Sequence, residues 1–275
     1  MGFFYFDESI HPEGSFSLGA FAYAEESLED SIADALRQSG LSPRVDEFKS
    51  GAWMDRNPQQ ARTRELLRSV VRDHCRIGVV VAPDRPRQLL GSEALLGLKK
   101  ILSTNEFRSG LHDIFFDRGI FDSSAASQRA AEVLRTIQPC SLHFEQDSVQ
   151  VLGLQAADLI AHTCATMLLA ELGFIRKKVK AGANSGYDPN LDMELEFELW
   201  AGLRYNFFAA GPPPYDTWES QLDFQVDVDS RGLHVAESCD QKVRKAALAR
   251  FGKMYLGCIH SYISGVGTAI HVPET

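Results

Sequence analysis

Three aspartates sit where a carboxylate is costly to keep. Asp7 ends the aromatic run Phe3-Phe4-Tyr5-Phe6, Asp117 ends Ile114-Phe115-Phe116, and Asp158 lies inside the apolar stretch 152–172. A carboxylate at the end of a buried strand or within a buried helix loses its hydration unless a positive or hydrogen-bonding partner meets it. A lone aspartate after a strand is commonly just a turn cap, but two after aromatic runs and a third in a greasy segment point to one shared cation. Oxygen-only ligands suit the hard ions Mg2+ or Mn2+ better than zinc. Around Asp158, Gln155 and His162 complete an i, i+3, i+7 set, one narrow polar stripe on an apolar helix. Such a stripe is expected to face a polar cavity. Asp147, just ahead of that segment, reads as its N-cap.

The elements that must position these groups are legible in outline. The apolar run 2–7 predicts a strand buried on both faces and ending at Asp7. The cluster His11-Pro12-Glu13-Gly14 is a turn, and 15–24 returns as the second strand of an antiparallel hairpin. Helices are expected over 25–39, 58–74, 89–102, 123–137 and 149–172, with strands over 76–82, 113–117 and 141–145 and a loop at 45–51. A hairpin followed by alternating helices and strands predicts an α/β fold with a mixed sheet. Strand ends in such sheets gather at one edge, where ligands bind. If the strands ending at Asp7 and Asp117 are parallel neighbours, the two like charges repel, which raises a pKa or demands a cation.

Past Phe174 the character changes. The basic run Arg176-Lys177-Lys178-Val179-Lys180 follows the apolar helix, where the helix dipole favours cations. Strict alternation over 191–199 has the period of a half-buried strand, although its Glu, Leu and Met content also suits a helix. Loops are expected at 181–186 and Gly211-Pro212-Pro213-Pro214, a second hairpin from 224–228 and 233–235, and a final helix over 240–257. We therefore divide the chain into a core domain, 1–180, and an α+β extension packed on it, 181–275.

With 275 residues, 44% hydrophobic and 24% charged, the chain has the composition of a globular protein with a full-sized core. Its net charge of −9 argues against a general nucleic-acid coat, which would be basic. It leaves room for a nuclease, because clustered ligand acids contribute to the excess. The five cysteines are scattered, with no C-x-x-C pair, and read as reduced thiols. No basic region precedes the first apolar run, and the long apolar stretch carries Gln155, Asp158, His162 and Glu171. That favours a core helix over a membrane span, and a cytoplasmic protein.

Four stretches occur in a telling order: Asp7-Glu8-Ser9, Glu47-Phe48-Lys49, Phe115-Phe116-Asp117-Arg118 and Leu154-Gln155-Ala156-Ala157-Asp158-Leu159-Ile160-Ala161. Over roughly residues 1–175 this series resembles the family called domain of unknown function 3800. The resemblance implies an RNase H-like fold, a mixed β-sheet flanked by helices, in which acids from the first strand, a middle strand and a late helix converge on metal. It implies Asp7, Glu47, Asp117 and Asp158 as the acidic set. Glu47 enters through the resemblance alone, and Glu8, pointing the other way along the strand, ranks below it. Many relatives have Gly after Asp-Glu-Ser where this chain has Ile10, so the first turn is shaped differently.

The expected activity is a metal-dependent nuclease acting on DNA or RNA through two Mg2+ or Mn2+ ions about 3.5–4 Å apart, in a defence or mobile-element setting. Asp7, Glu47, Asp117 and Asp158 would be the metal ligands, Lys49 and Arg118 would meet phosphate oxygens, and Glu8, Gln155 and His162 would support them. The extension offers a surface for a protein partner or a second copy of the chain. Two other readings compete. A haloacid dehalogenase-type phosphatase would need D-x-D, and Ser9 occupies the second acidic position. A catalytically inactive binding or scaffold protein on the same fold would keep the acids without the chemistry.

Overall fold

The computed structural model describes residues 2–87, 89–104, 107, 110–121, 132, 140–181, 188–209 and 223–260. A six-stranded mixed sheet forms its centre, in the order β5-β4-β1-β2-β3-β9. The strands are β1 (Gly2–His11), β2 (Phe16–Ala24), β3 (Arg76–Ala82), β4 (His112–Asp117), β5 (Cys140–Gln146) and β9 (Leu233–Val235). β1, β2 and β3 form an antiparallel meander, and β4 and β5 add in parallel on the other side of β1. This is the α/β class expected.

Helices α1 (Glu29–Gln38), α2 (Pro58–His74), α3 (Leu89–Leu102), α4 (Gly153–Glu171), α5 (Leu195–Leu203) and α6 (Gln241–Phe251) complete the core. Side chains alternate across a strand, so β1 offers different residues to the two layers. Tyr5 lies against Gly153 of α4 and stacks on Phe115, which stacks in turn on His143. On the opposite face Phe6 packs on Phe21 and Phe116, and Phe116 on Phe121 and Phe144. By the same alternation Asp7 and Asp117 fall on the α4 face. Gly153 is a real requirement there: a Cβ at that position would overlap the Tyr5 ring.

Several expectations change. β1 does not stop at Asp7 but continues to His11, paired with β2 through Ile10↔Ser17 and His11↔Phe16. What ends at Phe6↔Phe116 is its pairing with β4. The helix expected from 149 begins at Gly153, and the one expected from 25 begins at Glu29. Asp147 is not the N-cap of α4: its carboxylate accepts from the Val149 amide at 2.9 Å, in a turn ahead of the helix. The alternating segment 191–199 is a three-residue strand, β7 (Asp192–Glu194), followed by α5. Leu199 and Leu203, one turn apart, share a small apolar pocket with Leu159 and Ile160 of α4. That packing selects the helix.

The expected second hairpin does not form. β8 (Asp223–Asp229) pairs antiparallel with β10 (Lys253–His260), while β9 joins β3 in the central sheet. The β3 backbone settles this, because Val79 N donates to Gly232 O and Ala236 N donates to Val81 O, both at 2.8 Å. The final helix correspondingly stops at Phe251, and the residues after it form β10. The segment 181–275 thus supplies a strand of the main sheet and buries Trp200, Phe207, Phe208, Val243 and Phe251 in the same core. β6 (Lys178–Lys180) pairs with β7. The helix expected over 123–137 and the loops at 181–186 and 211–214 lie outside the described residues, Glu132 and Ala181 apart. Among the described residues no helix is long and apolar enough to cross a membrane.

Candidate functional site

The parallel register of β1 and β4 sets the first pair. The strands match Phe6 with Phe116, so the next residues along are Asp7 and Asp117, on strands about 4.8 Å apart. α4 crosses this face of β1 and β2 and brings Asp158 to the same place. Asp7 is 9% exposed. Burial, and then the charges of Asp117, Asp158 and Glu8, push its carboxyl well above the usual aspartate range. Asp117 is pushed up to about 6, chiefly by burial, with Glu8 and Glu47 adding to it and the Arg118 amide and Lys49 opposing. Like charges crowded out of water do this. The three aspartates thus share one electrostatic field.

A loop closes over them, and its anchors explain why it lies there. Phe48 is fully buried, and its amide donates to Gln155 Oε1 at 2.9 Å. Gln155 in turn donates to Ser148 O at 2.9 Å. The Lys49 amide donates to Gln60 Oε1, and Gln60 Nε2 donates to Glu47 O. Ser50 reaches Asp158 twice, amide to Oδ2 at 2.8 Å and hydroxyl to Oδ1 at 2.5 Å. Arg64 of α2 donates to Ser50 O at 2.5 Å. Gln155 is therefore a peg that fixes the loop, and with 0% exposure it does not face an open cavity as its place in the stripe led us to expect.

Glu47 accepts from the Ser148 hydroxyl and lies 2.6 Å from Lys49 Nζ. Burial works against the Lys49 ammonium, but Glu47, with Asp158 and Asp117 beyond it, holds its pKa above the ordinary lysine value. Lys49 is thus a cation built in beside the acids. Glu8 pairs with Arg87 at 2.5 Å, and its Oε2 is buried without a hydrogen-bond partner. Burial raises its pKa despite Arg87, and Asp158 adds to the rise. Arg118 lies 2.9 Å from Asp147, on the loop leaving β4. His162, a turn beyond Asp158, is held below the usual histidine range by burial and then by Arg64. It lines a groove of about 360 Å3 with Arg64, Arg68, Thr166, Lys177 and Lys180.

The structure thus brings Asp7, Asp117, Asp158 and Glu8 into one field, with Glu47 and Lys49 at its edge. Arg118, paired with Asp147, and His162, lining the neighbouring groove, stand beside it. Among the described residues, no group of three or more His, Cys, Asp or Glu side chains is drawn together closely enough to hold a metal ion. Ser50, Gln60, Arg64 and Ser148 were missed by sequence reasoning. The one local signal for the loop was Phe48, an apolar residue between two charged ones, which had to be buried somewhere.

No protein-family model matches the chain, and no curated protein sequence matches it. A chain in the solved structure of the PCNA:RNase HII complex from Archaeoglobus fulgidus is similar at 16% identity and a TM-score of 0.36, over 69% of this chain and 84% of that one.

Proposed function

We propose that the chain is a metal-dependent nuclease of RNase H-like fold that hydrolyses phosphodiester bonds in DNA or RNA. The observation that carries the reading is the shared field of Asp7, Asp117 and Asp158, in which Asp7 is held far above its ordinary pKa by burial and by the other two. Such carboxylates lack a cation strong enough to offset them, and their oxygens suit Mg2+ or Mn2+. Glu8, next along β1 and so on its other face, is paired with Arg87 and adds its charge to the field rather than a ligand. Divalent ions bound there would activate water and stabilise the leaving oxygen of a phosphodiester. Asp7, Asp117 and Asp158, which the metal-free chain does not draw within ligand distance of one another, would close on the ions to hold them, with Glu47 joining once released by Lys49. The Lys49 ammonium would then be free to meet a non-bridging phosphate oxygen. Ser50 fixes the Asp158 carboxylate in orientation, and Gln155 fixes the loop that carries Ser50.

The resemblance to domain of unknown function 3800 supports the same four acids. One observation favours the scaffold reading: the Lys49–Glu47 pair supplies an internal cation, which would let the acids persist without metal. A nuclease panel with Mg2+ and Mn2+, run beside Asp7→Ala and Asp117→Ala, separates the two. The enzyme reading expects cleavage that both variants lose, together with a Mn2+-induced rise in melting temperature that they also lose. Cleavage retained by the variants would mark a contaminant, and no thermal response in the parent protein would leave the scaffold.

A further inference from the structure

Three residues beyond Ser50, the residue that holds Asp158, the chain presents Trp53 to solvent. This indole is 71% exposed, whereas Trp200 is 7% exposed. Its position is set from both sides. Ser50 ties the loop to α4, and a 3-10 turn, Met54–Arg56, follows at once, with Arg56 N donating to Trp53 O at 3.1 Å. Asn57 then caps α2 by accepting from the Gln60 amide at 3.1 Å, with Pro58 in the first helical position. Across one face of the ring lies the Arg56 guanidinium, 4.7 Å from the centroid.

An exposed indole forfeits the burial that large aromatics normally gain. A rigid ring with a cation on one face and water on the other is the arrangement that stacks bases in single-stranded nucleic acid. The surrounding charge agrees: residues 53–64 hold Arg56, Arg62 and Arg64 against Asp55 alone, in a chain of net charge −9. Three residues of chain span at most about 11 Å from Ser50. That is the rise of about three stacked nucleotides.

We propose that Trp53 stacks an unpaired base of a single-stranded nucleic acid whose backbone passes the carboxylates, so that the substrate class is single strands or unpaired ends. A base within a duplex already has both faces covered by its neighbours. The proposal rests on the nuclease reading. It is tested by the anisotropy of a labelled 12-nucleotide oligothymidylate and of a base-free backbone of equal length, each binding the full chain in EDTA at low, fixed salt. The expected result is tighter binding of the oligothymidylate than of the base-free backbone, with the difference lost in Trp53→Ala and largely kept in Trp53→Phe. The loss on going to alanine should be about 5- to 160-fold in Kd, the span of one base–aromatic stack. Equal binding of both ligands, or of parent and Trp53→Ala, overturns the stacking role and leaves the nuclease reading standing. No binding of either ligand by the parent protein likewise overturns the stacking role, while the nuclease reading stands or falls on the metal-dependent cleavage panel.

Discussion

Neutralising Asp117 should stabilise the metal-free protein. Its folded pKa is raised from an ordinary 3.8 to about 6, first by burial, so the folded chain holds the proton more tightly than the unfolded one. The linked stability is complete below pH about 4 and is lost as the pH rises through about 6. At 1.36 kcal/mol per pH unit the full effect is about 3 kcal/mol. Asp117 keeps part of its surface in water, so we discount this to about 1–2 kcal/mol. Asp117→Asn keeps an acceptor for the Arg118 amide but never ionises. In EDTA, thermal unfolding of the two proteins should therefore coincide near pH 4 and diverge above pH 6. At pH 8 the variant should melt about 2–4 °C higher. Its slope should be flatter still, because Asp117 also raises Asp7. Saturating Mg2+ or Mn2+ should reverse the order, since an ion present at 100 times its Kd stabilises its binder by about 2.7 kcal/mol. A variant no more stable than the parent at pH 8 in EDTA, or one with the same pH slope, would refute the crowding of charge on which the site is built.

Two further substitutions probe the supports of the site. Gln155→Leu keeps the volume but strands the Phe48 amide and the Ser148 carbonyl, at roughly 1–3 kcal/mol for each buried group left unpaired; hydrogen exchange at the Phe48 amide should quicken, and unchanged protection would show that Gln155 does not hold the loop. Gly153→Ala drives a methyl group into the Tyr5 ring, so α4 must shift away from β1 at a cost of about 1–3 kcal/mol; a variant with parental melting temperature and metal response would show that the contact relaxes freely.

The central elements could be read from local pattern because their physics is local. Pro58–His74, Arg76–Ala82 and Leu89–Leu102 coincide with the expected spans, since each carries its own periodicity and its own stop. The aspartates at 7, 117 and 158 were also legible, as charges in apolar company. What the sequence could not express is which backbone groups lack a partner after the chain has packed. β3 would otherwise leave an open edge, and that need, rather than the short link between 224–228 and 233–235, decides that β9 pairs with β3 and β8 with β10. The alternation over 191–199 carried two readings until Leu159 and Ile160 of α4 met Leu199 and Leu203 at helical spacing. Gln155 looked like a group facing a cavity because its partner, the Phe48 amide, lies 107 residues away. The acids themselves are written in the sequence. Whether they share a field depends on parallel register and on a helix crossing, which only long-range packing can set.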